Sequence, residues 1–465
     1  MVDVKTKLQE VFQLQKQQQH VVKMTSAEER IEKLQKLKVE IIAQAPSIME
    51  ALQQDLGKPA FEAASSEMLS VISEIDYFTA NLKQWMEPHV VPARNEGAQT
   101  KIISEPKGQC LIYSAWNFPF MLLFLPLVPA IGAGNVCILK PSELAPATSA
   151  ISAKIITKVF DESEVAILEG GVDVATLLLE QPFNHIFFTG STHVGREIMQ
   201  AAGKHLASVT LELGGKCPVI IDENVDLEKI VPRILSGKYT NAGQVCLAPD
   251  HVYVKEEQSQ EFVRLVGEYI QRSYFENGEL VKSDFSKIVN ERNLNRLEGL
   301  LQDAVAKGAT VHVGGEIEDG RMYPTVLTDV SVDAQIMEEE IFGPILPVLT
   351  YTSLDDVIDQ VNARPKPLAL YIFSEDQNMA DLVLAKTSSG GAAVNDVIRH
   401  MLEPNLPFGG VNESGIGSYT GIFGFKEFSH ERGVLYQAPV GTNPLETFAH
   451  APYKGKLEML MQRIK

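Results

Sequence analysis

Up to Trp85 the apolar positions fall at helical spacing, and this part of the chain reads as helix. Ser26 and Glu29 have the spacing of a capping box ahead of a run to Leu56, and Gly57 with Pro59 supplies a stop. A second amphipathic helix is predicted from about Glu62 to Trp85, ending before Pro88. From Lys101 the pattern changes to short apolar runs alternating with helical segments. "CLIYSA", "NVCIL", "VAILEG" and "HIFFT" read as strands, and after Val209 so do "VTLEL", "PVIID", "HVYV" and "ATVHVGG". Helices fall between several of them, among them Leu227 to Ser236 and Gln258 to Phe275. Strands alternating with helices predict an α/β fold with parallel sheets covered on both faces. Two lobes meeting near residue 210 are expected, with a cleft between them.

One charge-free stretch, Phe118 to Leu139, is long enough to raise a membrane span, but Pro119, Pro126, Pro129, Gly132 and Gly134 interrupt it. It reads as a buried helix followed by a strand. The first twenty residues are polar and Gln-rich, so no secretory signal is expected.

Composition narrows the function. The chain has 465 residues, 45% hydrophobic and 22% charged, as an ordinary globular protein of more than one domain does. Its 41 Lys and Arg against 60 Asp and Glu leave a formal charge of −19, which disfavours nucleic acid and anionic membranes as partners. Four cysteines in such a length make no disulfide framework, and a reducing, cytoplasmic setting is expected. No metal site is predicted.

Five segments carry candidate chemistry. In "HIFFTGSTHVG" a strand runs into a turn at Gly190, Ser191 and Thr192, and a helix containing Gly195 follows. Such a helix start favours a phosphate, yet the pattern is also that of an ordinary βα turn. Lys140 and Glu143 follow a strand end in "CILKPSELAP", where ligands bind in open α/β sheets; a solvated turn is the alternative. Cys246 follows a small, polar stretch in "YTNAGQVCLAP", whereas Cys110, Cys137 and Cys217 sit in or beside strands and read as buried structural thiols. A nucleophilic cysteine needs a thiolate, and backbone N–H groups at a helix opening at Cys246 would supply the field; a fourth buried thiol is the alternative. Glu212 lies in the apolar run "TLELGGKCP", where its pKa is expected to rise, unless it pairs with Lys216. Glu338 to Glu340 precede Phe342, Gly343 and Pro344 at a turn, or simply end a solvated helix.

The order of these segments is more specific than any one of them. "WNFPF", "GN..ILKPSE", "FTGST.VG", "LELGGK", "NAGQ.C", "EEIFGP" and "PFGGV..SG.G" follow one another from Trp116 to Gly417. In this the chain resembles the NAD(P)-dependent aldehyde dehydrogenase family over nearly its whole length. "PFGGVNESGIGSYTGIFGFKEFSH" and "IVNERNLNRLEGLL" are similar to the class 3 branch. Two departures stand out: Asn412 where the branch commonly has Gly, and Thr420 where His is common. Both fall where the substrate funnel and the subunit contact are shaped.

The resemblance implies a Rossmann-like cofactor domain over 1–87 and 106–210, and a catalytic domain over 211–400. It also implies an oligomerisation arm from 88–105 and 401–436, and a tail over 437–465 that is a surface or dimer-contact helix rather than an anchor. It implies oxidation of medium- or long-chain aliphatic or aromatic aldehydes to acids, with Cys246 forming a thiohemiacetal and then a thioester. Asn117 and the Cys246 N–H would hold the oxyanion, a donor of this kind being worth roughly 2.7–4 kcal/mol. Glu212 would be the base that hydrolyses the thioester. NAD is the implied cofactor, with NADP left open. Lys140 and Glu143 would hold its adenosine ribose, Ser191 and the turn from Gly190 to Gly195 its pyrophosphate, and Glu340 and Phe342 its nicotinamide end. Trp116, Phe118, Leu122 and Phe408 would line the funnel, and a homodimer is implied. Two alternatives are a CoA-acylating relative, which commonly lacks a Glu at position 212, and a non-catalytic cofactor-binding protein.

Overall fold

The computed structural model describes residues 4–94, 97–437, 439, 441, 448 and 450–464. Two parallel-rich sheets carry the architecture. The first has six strands in the order Gly415–Ile416, Ser208–Glu212, His185–Thr189, Gln109–Tyr113, Val136–Lys140 and Val165–Ile167. All pairs are parallel except Gly415–Ile416, which runs antiparallel to the edge strand with Gly415 opposite Glu212. The second has seven, in the order Thr310–Val313, Thr325–Thr328, Ile345–Tyr351, His251–Lys255, Pro218–Ile221, Ala369–Phe373 and Gly391–Val394. The chain passes from one sheet to the other between Glu212 and Pro218.

Strand residues alternate between faces, and the packing follows. Cys110 and Ile112 point into the main core, which also takes in Val219 and Ile221 of the second sheet. Leu111 and Tyr113 point the other way, onto Leu8, Val11 and Phe12 of the first helix. Cys110, Cys137 and Cys217 are fully buried, as structural thiols are.

The helical opening is more broken than its pattern suggests. The capping box forms: Ser26 N–H donates to Glu29 Oε2 at 2.7 Å, and Glu29 N–H to Ser26 Oγ at 3.2 Å. The run to Leu56 is two helices, Ala27–Ala43 and Ala45–Leu56, because Pro46 lacks the N–H that an unbroken ladder needs there. The second long helix starts at Ala60 and passes through a π-helical segment, Ala63–Met68, before Leu69–Trp85. Phe118 to Leu139 is buried helix, Met121–Phe124 and Leu127–Ala133, then strand. No helix among the described residues is long and apolar enough to cross a membrane.

A third, three-stranded antiparallel sheet joins His89–Val91, Gln99–Pro106 and Ser429–Tyr436. Part of the tail lies outside the described residues; Lys456–Ile464 forms a helix with Leu457 and Met459 exposed.

In the first sheet the chain goes one way from Gln109–Tyr113 to Val136–Lys140, and returns on the other side through His185–Thr189. That reversal opens a crevice at the carboxyl ends of Gln109–Tyr113 and His185–Thr189, the place where open α/β sheets bind ligands. Ser114 to Asn117 leave from one of these ends and Gly190 to Thr192 from the other.

Candidate active site

Two of the catalytic candidates, Asn117 and Cys246, line a cavity of about 680 Å³ together with Phe118, Met121, Leu122 and Phe408, among others; Glu212 is not among its lining residues. A larger recess of about 890 Å³, beside Arg264 and His312, contains none of the predicted residues.

Cys246 does not open a helix. It stands in a turn after Thr240–Gly243, where Asn241, Ala242 and Gly243 have φ of 52°, 53° and 75°. Left-handed backbone is strained for a side chain such as that of Ala242, and side chains hold the turn in place. Glu62 Oε2 accepts from Asn241 N–H at 2.9 Å. Asn241 Nδ2 donates to Asn117 O at 2.9 Å and to Gln244 O at 3.2 Å. Gln244 Nε2 donates to Asn241 O and Lys287 O, and its Oε1 accepts from Val289 N–H. A Cβ on Gly243 would lie 2.3 Å from Gly343 O, so the Cys246 loop rests directly on the segment after Phe342.

Asn117 is held from a second side. Lys58, fully buried, donates to Glu67 Oε1 at 2.5 Å and to Asn117 O at 3.0 Å, and lies 4.0 Å over the Phe118 ring. The other oxygen of Glu67 accepts from Phe120 and Met121 N–H at 3.0 and 2.9 Å. Asn117 Nδ2 donates to Gln244 O at 3.0 Å, which uses one of its two hydrogens and leaves the second for a ligand.

Glu212 is buried with both carboxyl oxygens unpartnered among the described residues. Lys216 is not its partner: the ammonium donates to Asp250 Oδ1 at 2.5 Å and to two backbone carbonyls. Burial, and then the Glu427 carboxyl, push Glu212 well above the usual carboxylate range. Glu340 is pushed up to about 8 by burial, opposed by the Gly215 N–H. Its carboxyl lies where a Cβ on Gly214 would be, 2.1 Å from Oε2, so the first glycine of "GGK" is needed for space.

These charges settle the state of the thiol. Burial, then Glu340 and Glu212, push the Cys246 thiol up, and the N–H groups of Cys246 and Leu247 pull only weakly against them. The resting thiol is neutral, not the thiolate expected from a helix opening, because it is buried, no helix opens at Cys246, and the Glu340 and Glu212 carboxyls lie near it. Cys217 sits beneath, its S–H 3.4 Å from Cys246 O.

The remaining predicted residues fall into two groups around the crevice. Lys140 is buried, donates to Pro141 O at 2.7 Å and pairs with Glu143 at 3.5 Å. The helix expected after the Gly190 turn starts at Thr192, capped by Ser191 Oγ, which accepts from Val194 N–H at 3.4 Å. Thr192 Oγ1 donates to Glu413 O at 2.9 Å, and Gly195 lets Leu213 pack where its Cβ would stand. Phe342, with φ 46°, meets Trp116 edge-on at 5.4 Å. Trp116 is therefore absent from the cavity wall, contrary to expectation, while Phe118, Leu122 and Phe408 line it.

Sequence reading missed Lys58, Glu67, Asn241 and Gln244. The last two lie inside the quoted "NAGQ.C", but their side-chain bonds depend on the left-handed turn. Lys58 and Glu67 flank a predicted helix start and carry no pattern that marks a buried pair.

The aldehyde dehydrogenase family profile matches residues 4–434. The putative aldehyde dehydrogenase AldX of Bacillus subtilis is 49% identical over 439 residues, 94% of this chain and 99% of that protein. Aldehyde dehydrogenase family 3 member H1 of Arabidopsis thaliana is 41% identical over 93% of this chain and 89% of its own length. A substrate-bound Staphylococcus aureus AldH structure superposes with a TM-score of 0.92 at 38% identity, covering 98% of this chain and 99% of that one. A glyceraldehyde-3-phosphate dehydrogenase of Methanocaldococcus jannaschii complexed with NADP scores 0.85 at 26% identity, covering 93% and 94%. A betaine aldehyde dehydrogenase variant of S. aureus in complex with NAD+ scores 0.85 at 25%, covering 93% and 88%. The chain belongs to the aldehyde dehydrogenase family, among class 3 relatives, and is an oxidoreductase acting on aldehydes.

Two outcomes are expected. In the protein without cofactor, alkylation of Cys246 by iodoacetamide accelerates from pH 7 to 9.5 without levelling off; a plateau reached below pH 7 contradicts a neutral thiol. Lys58→Met leaves Glu67 buried without its cation and costs about 3–5 kcal/mol in denaturant unfolding. Adding Glu67→Gln recovers much of that loss.

Proposed function

We propose that Cys246 is the nucleophile that oxidises aldehydes to carboxylic acids through a thioester. The observation that carries this is a half-buried thiol and the Asn117 amide on one cavity wall, with the buried Glu212 carboxyl, unpartnered among the described residues, near enough to push the thiol up. The sulfur adds to the aldehyde carbon as its proton passes to a neighbouring carboxylate. The negative oxygen accepts from the free hydrogen of Asn117 Nδ2 and from the Cys246 N–H. After oxidation, water attacks the thioester carbonyl, Glu212 takes the water's proton, and the C–S bond breaks to release acid and thiol. Burial keeps Glu212 basic enough for this and leaves both its oxygens free.

The crevice fits a nicotinamide dinucleotide. Ser114 Oγ and Thr189 Oγ1, at its two strand ends, and Glu340 Oε1 are buried without partners. Lys140 and Glu143 would hold the adenosine ribose. Gly190, Ser191, Thr192 and Gly195 would receive the pyrophosphate at the helix N-terminus. Glu340 and Phe342 would border the nicotinamide end. When bound, NAD or NADP supplies the hydride acceptor. Glu143 disfavours a 2′-phosphate and Lys140 tolerates one, so NAD is the expected cofactor with NADP also used.

The apolar wall from Phe118 to Phe408 suits medium- or long-chain aliphatic or aromatic aldehydes. Glu212 favours hydrolysis over transfer to CoA. The three-stranded arm exposes Val90, Leu435 and Tyr436, which supports a homodimer joined there. Four free cysteines support a cytoplasmic setting.

Cys246→Ala is expected to abolish aldehyde-dependent reduction of NAD while the protein keeps its unfolding midpoint. A variant retaining most activity would falsify the assignment. Product analysis with and without CoA gives the free acid in both cases if water is the acceptor.

A further inference from the structure

The cavity that Cys246 lines has a wet end and a dry one. Phe61, Arg233, Arg399 and Leu402 line it and are exposed, whereas Phe118, Leu122 and Phe408 line it and are buried. The exposed residues therefore mark its mouth and the buried ones its depth. Two of the exposed residues are arginines in a chain of formal charge −19, so a positive mouth is a local exception that an anionic ligand would feel.

The backbone that presents Arg399 is strained. Ile398 has φ 64° and ψ −37°, and Arg399 N–H donates to Val397 O at 2.6 Å, two residues back. This is a γ-turn of the rare kind, with a β-branched residue at its centre. Such strain persists only where the surroundings over-determine it, and it clusters at ligand sites. Here the helix Leu227–Tyr239 supplies the surroundings. A Cβ on Gly237 would lie 2.5 Å from Val397 Cγ2 and 3.2 Å from Ile398 Cδ1, so the turn packs on bare helix backbone. One turn earlier on the same face, Arg233 Nη1 donates to Asn395 O at 2.6 Å. The two arginines thus belong to a single contact between helix and loop.

Two carboxyls, Glu62 and Asp396, line the same cavity, and each is engaged locally. Glu62 Oε2 accepts from Asn241 N–H at 2.9 Å, and burial pushes this carboxyl up. Asp396 Oδ1 accepts from Val397 N–H at 2.8 Å. Among the described residues neither carboxyl pairs with a guanidinium, and no hydrogen bond or ion pair engages the Arg399 side chain. An accessible, unpaired guanidinium at the open end of an apolar funnel suits a carboxylate, which it meets with two parallel N–H donors.

We propose that Arg399, with Arg233 beside it, sets specificity by receiving a carboxylate at the far end of the aldehyde. The substrate class is then an ω-oxoalkanoate, with its carbonyl carbon at Cys246, its methylene chain along Phe118, Leu122 and Phe408, and its carboxylate at the mouth. This rests on the reading of Cys246 as the reacting centre.

The test measures kcat/KM for ω-oxoalkanoates, their methyl esters and ω-ammonio aldehydes over a series of chain lengths. The ester keeps the length and loses the charge, so the acid-to-ester ratio isolates the carboxylate. In the unaltered enzyme at low salt one chain length favours the acid by about fivefold, the effect of an accessible ion pair, and added salt lowers the preference. Arg399→Met removes it, Arg399→Lys keeps part of it, and Arg399→Glu turns it toward the ammonium end. No preference for the acid at any length in the unaltered enzyme overturns the proposal. So does a preference that Arg399→Met leaves unchanged, or one for the ammonium end before any substitution. These ratios all require turnover and leave the nucleophile untouched; activity that survives Cys246→Ala removes the reading beneath them instead.

Discussion

The site depends on one constraint: a backbone turn that its residues do not favour. Asn241, Ala242 and Gly243 are all left-handed, at a cost of order 1–3 kcal/mol for each residue that is not glycine. The turn persists because Glu62, Asn241, Gln244 and Asn117 tie it with side-chain hydrogen bonds. Those bonds also fix the two proposed oxyanion donors relative to each other, since Asn117 is bonded to the loop that carries the Cys246 N–H. The loop position and the donor position are therefore a single geometric fact. The buried Lys58–Glu67 pair holds the opposite end of the Asn117 turn, where an apolar pair of the same shape would have no donor for the Asn117 carbonyl.

Electrostatics pull against this preorganisation. Two carboxyls, Glu212 and Glu340, face a thiol that has little positive charge beside it. Burial raises all three above their ordinary pKa values, the thiol further than Glu340, so a carboxyl that ionises can take the thiol's proton. A neutral thiol is a poorer nucleophile, but it is also less open to oxidation and stray alkylation. A polar ligand that engages Glu340 would relieve the repulsion at the moment the site is filled.

Much of this was readable from the residues. Capping at Ser26, the strand runs, the breaks within Phe118 to Leu139 and the buried state of three cysteines follow from local pattern and burial. Cys246, Glu212 and Asn117 came from motif order; the fold lines one cavity with Cys246 and Asn117 and buries Glu212 near the thiol. What was hidden depends on contacts distant in sequence. Lys58 and Asn117 are separated by 59 positions, and Glu62 and Asn241 by 179. The protonated thiol was hidden for the same reason, since its sign depends on which carboxyls the fold places nearby. Asn412 is a departure the structure explains: its φ of 56° is one that Asn tolerates better than other side chains, so it takes the usual Gly position.

The central claim is that an acyl group is carried on Cys246 and removed by water that Glu212 activates. Glu212→Gln, mixed with a saturating aldehyde and NAD, is quenched in acid, and its peptides are weighed. The account predicts one burst of NADH per active site and the mass of the acyl group on the peptide holding Cys246. Full turnover by this variant with an unmodified Cys246 peptide, or the acyl mass on another residue, would contradict it.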